Sequence, residues 1–221
     1  MKKLLLIIAF AILGLGLNAQ NVGDETKIDY GDYSLNFRIT NVELNYCEVV
    51  SYDDAKNTID VIIPSTVEIE GAEYSVTSIG DYAFVSCYNL TSIEIPSSVT
   101  SIGEYAFGSC ENLKTVTFGD NSQLTSIGNG TFSSCWNLTS IEIPSSVTSI
   151  GEYAFYNCSN LTSIEIPSSV ISIGRNAFYH CSSLTSIEIP SSVTSIGEYA
   201  FDYCENLKTV TFGDNSQLTS I

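Results

Sequence analysis

A pattern of apolar positions returns along most of the chain every 23 residues. From Leu161 the sequence reads LTSIEIPSSVISIGRNAFYHCSS, and the pattern begins again at Leu184. The step between units is 23 residues except for one step of 25, in which a Pro-Ser-Ser turn is replaced by residues 119–123. The leucines that open the units are Leu90, Leu113, Leu138, Leu161, Leu184 and Leu207. A fixed period of this length is the signature of stacked repeats.

Each unit has two parts with different spacing. Apolar residues alternate at Leu161, Ile164 and Ile166, which predicts a short strand with one buried face, and Pro167 ends it. Residues 170–181 have apolar positions three and four apart, which indicates an irregular or 3₁₀-like return. One unit cannot cover its own apolar residues, so the pattern predicts a mainly β repeat solenoid, a rod or arc of parallel short strands.

The chain divides into three parts. Residues 1–19 resemble a secretory signal peptide, because Lys2 and Lys3 precede an apolar run and Ala19 offers a cleavage point. An uncleaved N-terminal anchor is the alternative. Residues 20–74 lack the period and predict a small β-rich N-terminal cap, with a separate ligand-binding domain as the alternative. The β-type runs in this part are residues 33–40, 42–51, 58–63 and 73–77.

Residues 75–221 form the repeat array, with six repeats of 23–25 residues and the start of a seventh. Residues 111–127 and 205–221 are the same seventeen residues. No polar capping unit follows Ile221, so a C-terminal cap is absent from the pattern. We expect either a fragment of a longer array or self-association through the uncapped last coil.

Composition narrows the classes of ligand. The chain has 25 acidic and 8 basic residues and a net charge of −17, which would become −19 on loss of Lys2 and Lys3 with the signal. Such a surface repels nucleic acid and favours basic partners or divalent cations. No apolar run after the signal is long enough for a membrane span.

Six of the seven cysteines occupy one column, one per repeat. They are Cys87, Cys110, Cys135, Cys158, Cys181 and Cys204. Parallel side chains in stacked repeats hold their Cβ atoms about 4.8 Å apart, beyond the usual disulfide distance. We therefore predict buried, reduced thiols. The same geometry cannot enclose a metal ion, and nothing indicates a cofactor.

Two sets of residues are candidates for ligand binding. The first is a column of strand glutamates, Glu142, Glu165 and Glu188, for which a plain solvated face is the alternative. The second set varies between repeats near the return, where exposed aromatics can anchor a partner, and the alternative is that they lie flat on neighbouring turns. Its members are Tyr88, Trp136, Tyr156, Tyr179, His180, Asp202 and Tyr203. The candidate ligand-binding residues are Trp136, Tyr156, Tyr179, His180, Tyr203, Glu142, Glu165 and Glu188.

Catalysis has little support in the sequence. The single histidine, His180, occupies a variable position, and no spacing suggests a buried acid that would orient it. The glutamates form a repeating column rather than a pair in a pocket. We predict that the protein is not an enzyme, with a glycosidase that uses these glutamates as a minor alternative.

The unit LxxIxIPxxVxxIGxxAFxxCxxL resembles the BspA-like leucine-rich repeat of Bacteroides and Treponema surface proteins, over residues 75–221. The resemblance implies a parallel-strand leucine-rich-repeat solenoid on an exported bacterial protein, often an adhesin. It carries over no catalytic or binding residue. We therefore predict a secreted or cell-surface module that binds a protein or glycan, such as a host extracellular or envelope component. A structural envelope spacer or self-assembling element is the alternative.

Overall fold

The computed structural model describes residues 20–53 and 59–220, so the predicted signal peptide, residues 1–19, lies outside it. All regular secondary structure in the described residues is β-strand. This confirms the mainly β repeat fold. The strands are β1 (Glu25–Asp29), β2 (Ser34–Asn41), β3 (Tyr46–Asp53), β4 (Asp60–Ile62), β5 (Thr66–Ile69), β6 (Ala72–Ile79), β7 (Ser92–Ile95), β8 (Ser101–Ile102), β9 (Thr115–Phe118), β10 (Ser126–Ile127), β11 (Ser149–Ile150), β12 (Ser172–Ile173), β13 (Ser186–Ile189), β14 (Ser195–Ile196) and β15 (Thr209–Phe212).

The first part of the described chain forms a sheet with the strand order β1-β2-β3-β6-β5. Antiparallel pairs join β1 to β2, β2 to β3 and β5 to β6, whereas β3 and β6 are parallel. The buried rings of Phe37 and Tyr74 belong to its core. The sheet does not end there, because β6 also pairs in parallel with β8 of the first full repeat. The β-rich part therefore continues directly into the repeat array.

Two details of this sheet differ from the expected runs. Strand β1 was not predicted, because Glu25–Asp29 lacks an apolar alternation, and it forms as an edge strand against β2. The expected strand at residues 42–51 begins at Tyr46, after a turn in which Asn45 has a φ of 52°. Asparagine tolerates this left-handed conformation, so the turn takes the residues before it out of the strand.

The first strands of the repeats stack in parallel, as the alternating pattern predicted. Strand β4 pairs with β7 and β7 with β9, in register, and β13 pairs with β15 in the same way. Between these stacks the pairing is reduced to a single parallel bridge from Glu142 to Glu165. Repeat-like pairing begins at Asp60 of β4, and the division of the chain at residues 74 and 75 stays a prediction.

The returns contain a second strand that the sequence pattern did not reveal. Two-residue Ser-Ile strands pair in parallel in the order β10-β11-β12-β14, and Ile127, Ile150 and Ile173 lie in register. A two-residue strand is too short to show an alternation, which is why it escapes a periodicity argument. The rest of each return consists of irregular turns, and no 3₁₀ helix occurs in the described ranges.

Stacked phenylalanine rings form the centre of the solenoid. One ring comes from each repeat, and neighbouring ring centroids lie 5.1–5.6 Å apart. Tyr52 stacks on Phe84 at 5.4 Å, so the same ladder reaches into the N-terminal sheet. The rings of the ladder are those of Phe84, Phe107, Phe132, Phe155, Phe178 and Phe201. Offset stacking of this kind adds about 0.5–1.5 kcal/mol per pair beyond the burial of apolar area.

The cysteine column is tied to this ladder by hydrogen bonds. The Cys158 thiol donates to the carbonyl oxygen of Phe132, one repeat back, at 3.2 Å. The same bond recurs from Cys110, Cys135, Cys181 and Cys204. All seven cysteines are free thiols. A small side chain that fills the core and satisfies a buried carbonyl explains why the position is occupied by cysteine.

These buried thiols make stability depend on alkaline pH. Burial raises the pKa of Cys204 to about 11 and the pKa values of Cys158 and Cys181 further above the usual value of about 8.5. The unfolded chain therefore releases these protons first. We expect full stability below about pH 8.5 and a loss of up to about 1.4 kcal/mol per pH unit per thiol above it.

Urea unfolding at pH 7, 9 and 10 in the presence of a reductant measures this loss. The Cys181→Ala variant is the control. Removal of one thiol takes away one of the protons that the unfolded chain releases first, so the free energy of unfolding should fall less steeply with pH. A free energy of unfolding that stays constant from pH 7 to 10 would contradict the buried-thiol interpretation.

Candidate ligand-binding surface

The turn that follows each core phenylalanine presents two positions that differ between repeats. In two neighbouring repeats the first position holds Tyr156 and Tyr179. The second position is left-handed in every full repeat, with a φ of 56° at both His180 and Tyr203. Such a backbone is uncommon for bulky residues and persists only where surrounding structure holds it. Here the backbone N–H of His180 donates to the carbonyl of Asp202 in the next repeat at 2.8 Å.

The structure gathers most of the predicted aromatic residues into one cluster. Tyr156 stacks on Tyr179 with ring centroids 5.0 Å apart, and Tyr179 contacts Tyr203 at 5.1 Å. His180 lies 6.4 Å from the Tyr203 ring, and Tyr153 meets the edge of Tyr156 at 5.6 Å. We call these five residues the tyrosine run. It extends over three consecutive repeats.

The tyrosine run is partly packed and partly exposed. Tyr203 is 56% exposed, and Tyr156, Tyr179 and His180 are half-buried. Desolvation raises the pKa of the Tyr179 hydroxyl, and the neighbouring Tyr203, Tyr156 and Asp202 add to the rise. The rings therefore contact one another across repeats, while part of their surface faces solvent. Pre-packed aromatic side chains lose little conformational entropy when they bind a partner.

Trp136 occupies a different position in its turn. It follows Cys135, aligns with Ser159 of the next repeat, and is 45% exposed. Its carbonyl accepts a hydrogen bond from the backbone N–H of Asn160 at 3.2 Å. Among the described residues no ring contact joins Trp136 to the tyrosine run.

The three predicted glutamates lie on the first strand of their repeats. Glu142, Glu165 and Glu188 are all exposed. Glu142 and Glu165 are opposite each other in a parallel bridge, and Glu188 is opposite Thr211 in the β13–β15 pair. No hydrogen bond or ion pair links them to the tyrosine run within residues 20–53 and 59–220. The predicted residues therefore fall into two separate sets, one on strands and one on turns.

A second column of tyrosines was missed in the sequence reasoning. The position lies two residues after the glycine that follows the Ser-Ile pair of each repeat. Two tyrosines of this column, Tyr82 and Tyr105, stack with ring centroids 5.8 Å apart and parallel planes. Beside this column, the guanidinium of Arg175 in the preceding repeat lies 5.9 Å from the Tyr199 ring centroid. The signal is present in the sequence, because tyrosine recurs at this position in four repeats.

No group of three or more histidine, cysteine, aspartate or glutamate side chains in the described part of the chain could hold a metal ion. The same part of the chain has no helix with the length and apolar composition that crossing a bilayer requires.

Comparison with known proteins points to one repeat family. The model of the BspA type leucine rich repeat region matches in six copies, over residues 60–138 and 125–221. A leucine-rich repeat protein of T. pallidum is 28% identical with a TM-score of 0.72, and the match covers 84% of this chain and 88% of that protein. No curated protein is significantly similar to the chain.

Two longer bacterial proteins have the same fold. A leucine-rich repeat protein of Bacteroides ovatus is 30% identical with a TM-score of 0.65, over 82% of this chain and 52% of that one. A leucine-rich cell surface protein of Faecalibacterium prausnitzii is 32% identical with a TM-score of 0.60, over 87% of this chain and 55% of that one. The chain thus spans about half the length of these two relatives.

Proposed function

The chain belongs to the BspA-type leucine-rich repeat family, and we propose that it acts as a secreted or cell-surface binding module of a bacterium, with an adhesive role. Its ligand is a protein, and the tyrosine run is the centre of the contact surface. Leucine-rich repeat scaffolds typically bind partners rather than catalyse reactions, which agrees with the absence of a catalytic spacing in the sequence.

One observation carries this proposal. The buried positions of each repeat are nearly invariant, whereas tyrosine occurs at the two variable turn positions only as Tyr156, Tyr179 and Tyr203. The scaffold does not need them, because the equivalent positions in the repeat of Phe107 are Gly108 and Ser109. Tyrosine at the centre of an exposed, rigid patch is typical of residues that dominate binding energy.

The location at the cell surface rests on two supports. The predicted signal peptide at residues 1–19 would export the chain, and the similar Faecalibacterium prausnitzii protein is a cell surface protein. The acidic composition keeps such a protein soluble outside the cell and favours partners with a basic surface. The exposed Glu142, Glu165 and Glu188 extend this acidic surface along the strands.

The test is capture of partners from host extracellular proteins and bacterial envelope fractions by the mature chain, followed by affinity measurement with each identified protein. We expect the triple variant Tyr156→Ser, Tyr179→Ser, Tyr203→Ser to weaken binding at least about 30-fold, because a single hot-spot residue among the three would contribute about 2 kcal/mol or more. The control is Tyr82→Ser, since Tyr82 is about as exposed as Tyr203 and lies outside the run.

Three outcomes would contradict this proposal. Equal loss of binding in the Tyr82→Ser control would mean that the tyrosine run is not the contact surface. Retention of binding in the triple variant, with loss in Glu142→Gln, Glu165→Gln, Glu188→Gln, would move the surface to the strands. If no partner is captured and the chain instead forms filaments with rising concentration, a structural envelope role replaces binding.

A further inference from the structure

A longer turn and the repeat that follows it form a cleft on the repeat array. Residues 119–123 replace the Pro-Ser-Ser turn there, and they face Pro144 of the next repeat. The two turns enclose a cavity of about 340 Å³, within the range of about 300–1,000 Å³ that small-ligand sites occupy. Its lining includes Thr117, Phe118, Asp120, Asn121, Glu142 and Pro144.

The wall of this cleft is fixed by hydrogen bonds to both neighbouring repeats. The Gly119 N–H donates to the carbonyl of Ile95 at 2.8 Å, which ties the turn to the preceding repeat. From the following repeat, the Ser146 hydroxyl bonds the carbonyl oxygens of Ser122 at 2.9 Å and Leu124 at 2.7 Å. A cleft that is preformed in this way does not have to be ordered when a ligand enters.

The side chains that line the cleft combine free polar groups with apolar surface. The carboxylates of Asp120 and Glu142 have no hydrogen-bond or ion-pair partner in the part of the chain that the structure describes. The Asn121 side chain beside them is also exposed. Phe118 and Pro144 are half-buried and add apolar surface to the same cavity.

We propose that this cleft binds one neutral sugar unit of a glycan. Sugar hydroxyls would donate to the carboxylates of Asp120 and Glu142, which are strong acceptors, and accept from the Asn121 amide. The C–H faces of the ring would lie against Phe118 and Pro144. Two carboxylates in one cleft repel acidic sugars and phosphates, which excludes anionic ligands. The apolar surface of Phe118 and Pro144 in the same cleft favours a neutral sugar over a cation.

This site is separate from the protein-binding role of the tyrosine run. It lies on the turn after the first strand of a repeat, whereas the tyrosine run lies on the turns after the second strand. A neutral sugar and a protein partner would therefore contact different turns. The two proposals can fail independently.

The experiment uses the mature chain and millimolar cello-, malto-, galacto-, manno- and chito-oligosaccharides, with sialyllactose as the acidic comparison. Saturation-transfer NMR detects contact, and calorimetry gives the affinity. We expect binding of at least one neutral series and none of sialyllactose. The double variant Asp120→Asn, Glu142→Gln should weaken binding at least about tenfold, since hydrogen bonds to charged groups are the stronger ones.

The chain supplies a matched control for this variant. Asp214 occupies the position of Asp120 in the duplicated turn, and Glu188 shares the strand column of Glu142. The double variant Asp214→Asn, Glu188→Gln should therefore bind the sugar as the original chain does. Circular dichroism and the melting temperature establish that both variants fold.

Three results would overturn the sugar site. The first is no saturation transfer from any of the neutral series at millimolar concentration. The second is equal weakening in the two double variants. The third is binding of tetralysine that exceeds the sugar affinity and is lost with Asp120→Asn, Glu142→Gln, which would assign the cleft to a basic peptide. Capture of a protein partner by the tyrosine run would survive each of these results.

Discussion

Replacement of Phe155 by alanine is expected to lower the free energy of unfolding by about 3–5 kcal/mol. Phe155 is fully buried and stacks between Phe132 at 5.6 Å and Phe178 at 5.3 Å. Alanine would leave a cavity in the middle of the ladder, and both neighbouring rings would lose a stacking partner. Urea unfolding followed by circular dichroism and by the fluorescence of Trp136 measures the loss.

The same substitution at the end of the ladder is the control. Phe201 is half-buried and has one described ring partner, Phe178 at 5.4 Å. Phe201→Ala should therefore cost clearly less than Phe155→Ala. If the two variants lose equal stability, the continuous ladder does not contribute as argued, and the cost comes from each ring's own repeat alone.

Replacement of Gly174 by alanine is expected to destabilise the fold through contact between backbones. A Cβ atom at Gly174 would lie 2.5 Å from the carbonyl carbon of Gly151 and 2.6 Å from the amide nitrogen of Glu152. Neither atom belongs to a side chain that could move aside, so the two repeats would have to separate. Overpacking costs about 1–3 kcal/mol, and we expect the upper part of this range, measured as a lower midpoint of thermal unfolding.

Gly108 supplies the matched control for this variant. The three atoms nearest to its Cβ would belong to Tyr105, at 3.2–3.3 Å, and equivalent positions in other repeats carry Tyr156 and Tyr179. Gly108→Ala should therefore cost clearly less than Gly174→Ala, because other repeats accommodate a tyrosine side chain at this position. A Gly174→Ala variant as stable as Gly108→Ala would show that the repeats can move apart without cost.

The repeat architecture could be predicted because its signal is repeated. Six agreeing copies of one apolar pattern determine the first strand, the ladder position of Phe155 and the buried column of Cys158. The sequence could not show that the cysteine thiols bond the phenylalanine carbonyls of the preceding repeat, since this contact joins residues 26 positions apart. Strand β1 and the two-residue strands could not be predicted for a related reason. Each forms only when a neighbouring strand provides its hydrogen-bond partners.

The sequence identified residues of the candidate site but not which of them lie close together. Variation between repeats identified Tyr156, Tyr179 and Tyr203, but only the stacked turns bring them within about one ring spacing of each other. The cleft beside Asp120 was visible only as a longer step in the period. Its cavity depends on the facing residues of the next repeat, which no local pattern specifies.

The duplicated block shows which properties follow from the local sequence and which follow from the position of a repeat in the fold. Residues 111–127 and 205–221 have the same sequence, and both contain a four-residue strand at the same place, β9 and β15. Yet Val116 is 6% exposed while its copy Val210 is 41% exposed. The sequence by itself determined the strand, because the alternation and the turn residues act locally. Burial was decided by the tertiary structure, because described repeats cover both sides of Val116 and only one side of Val210.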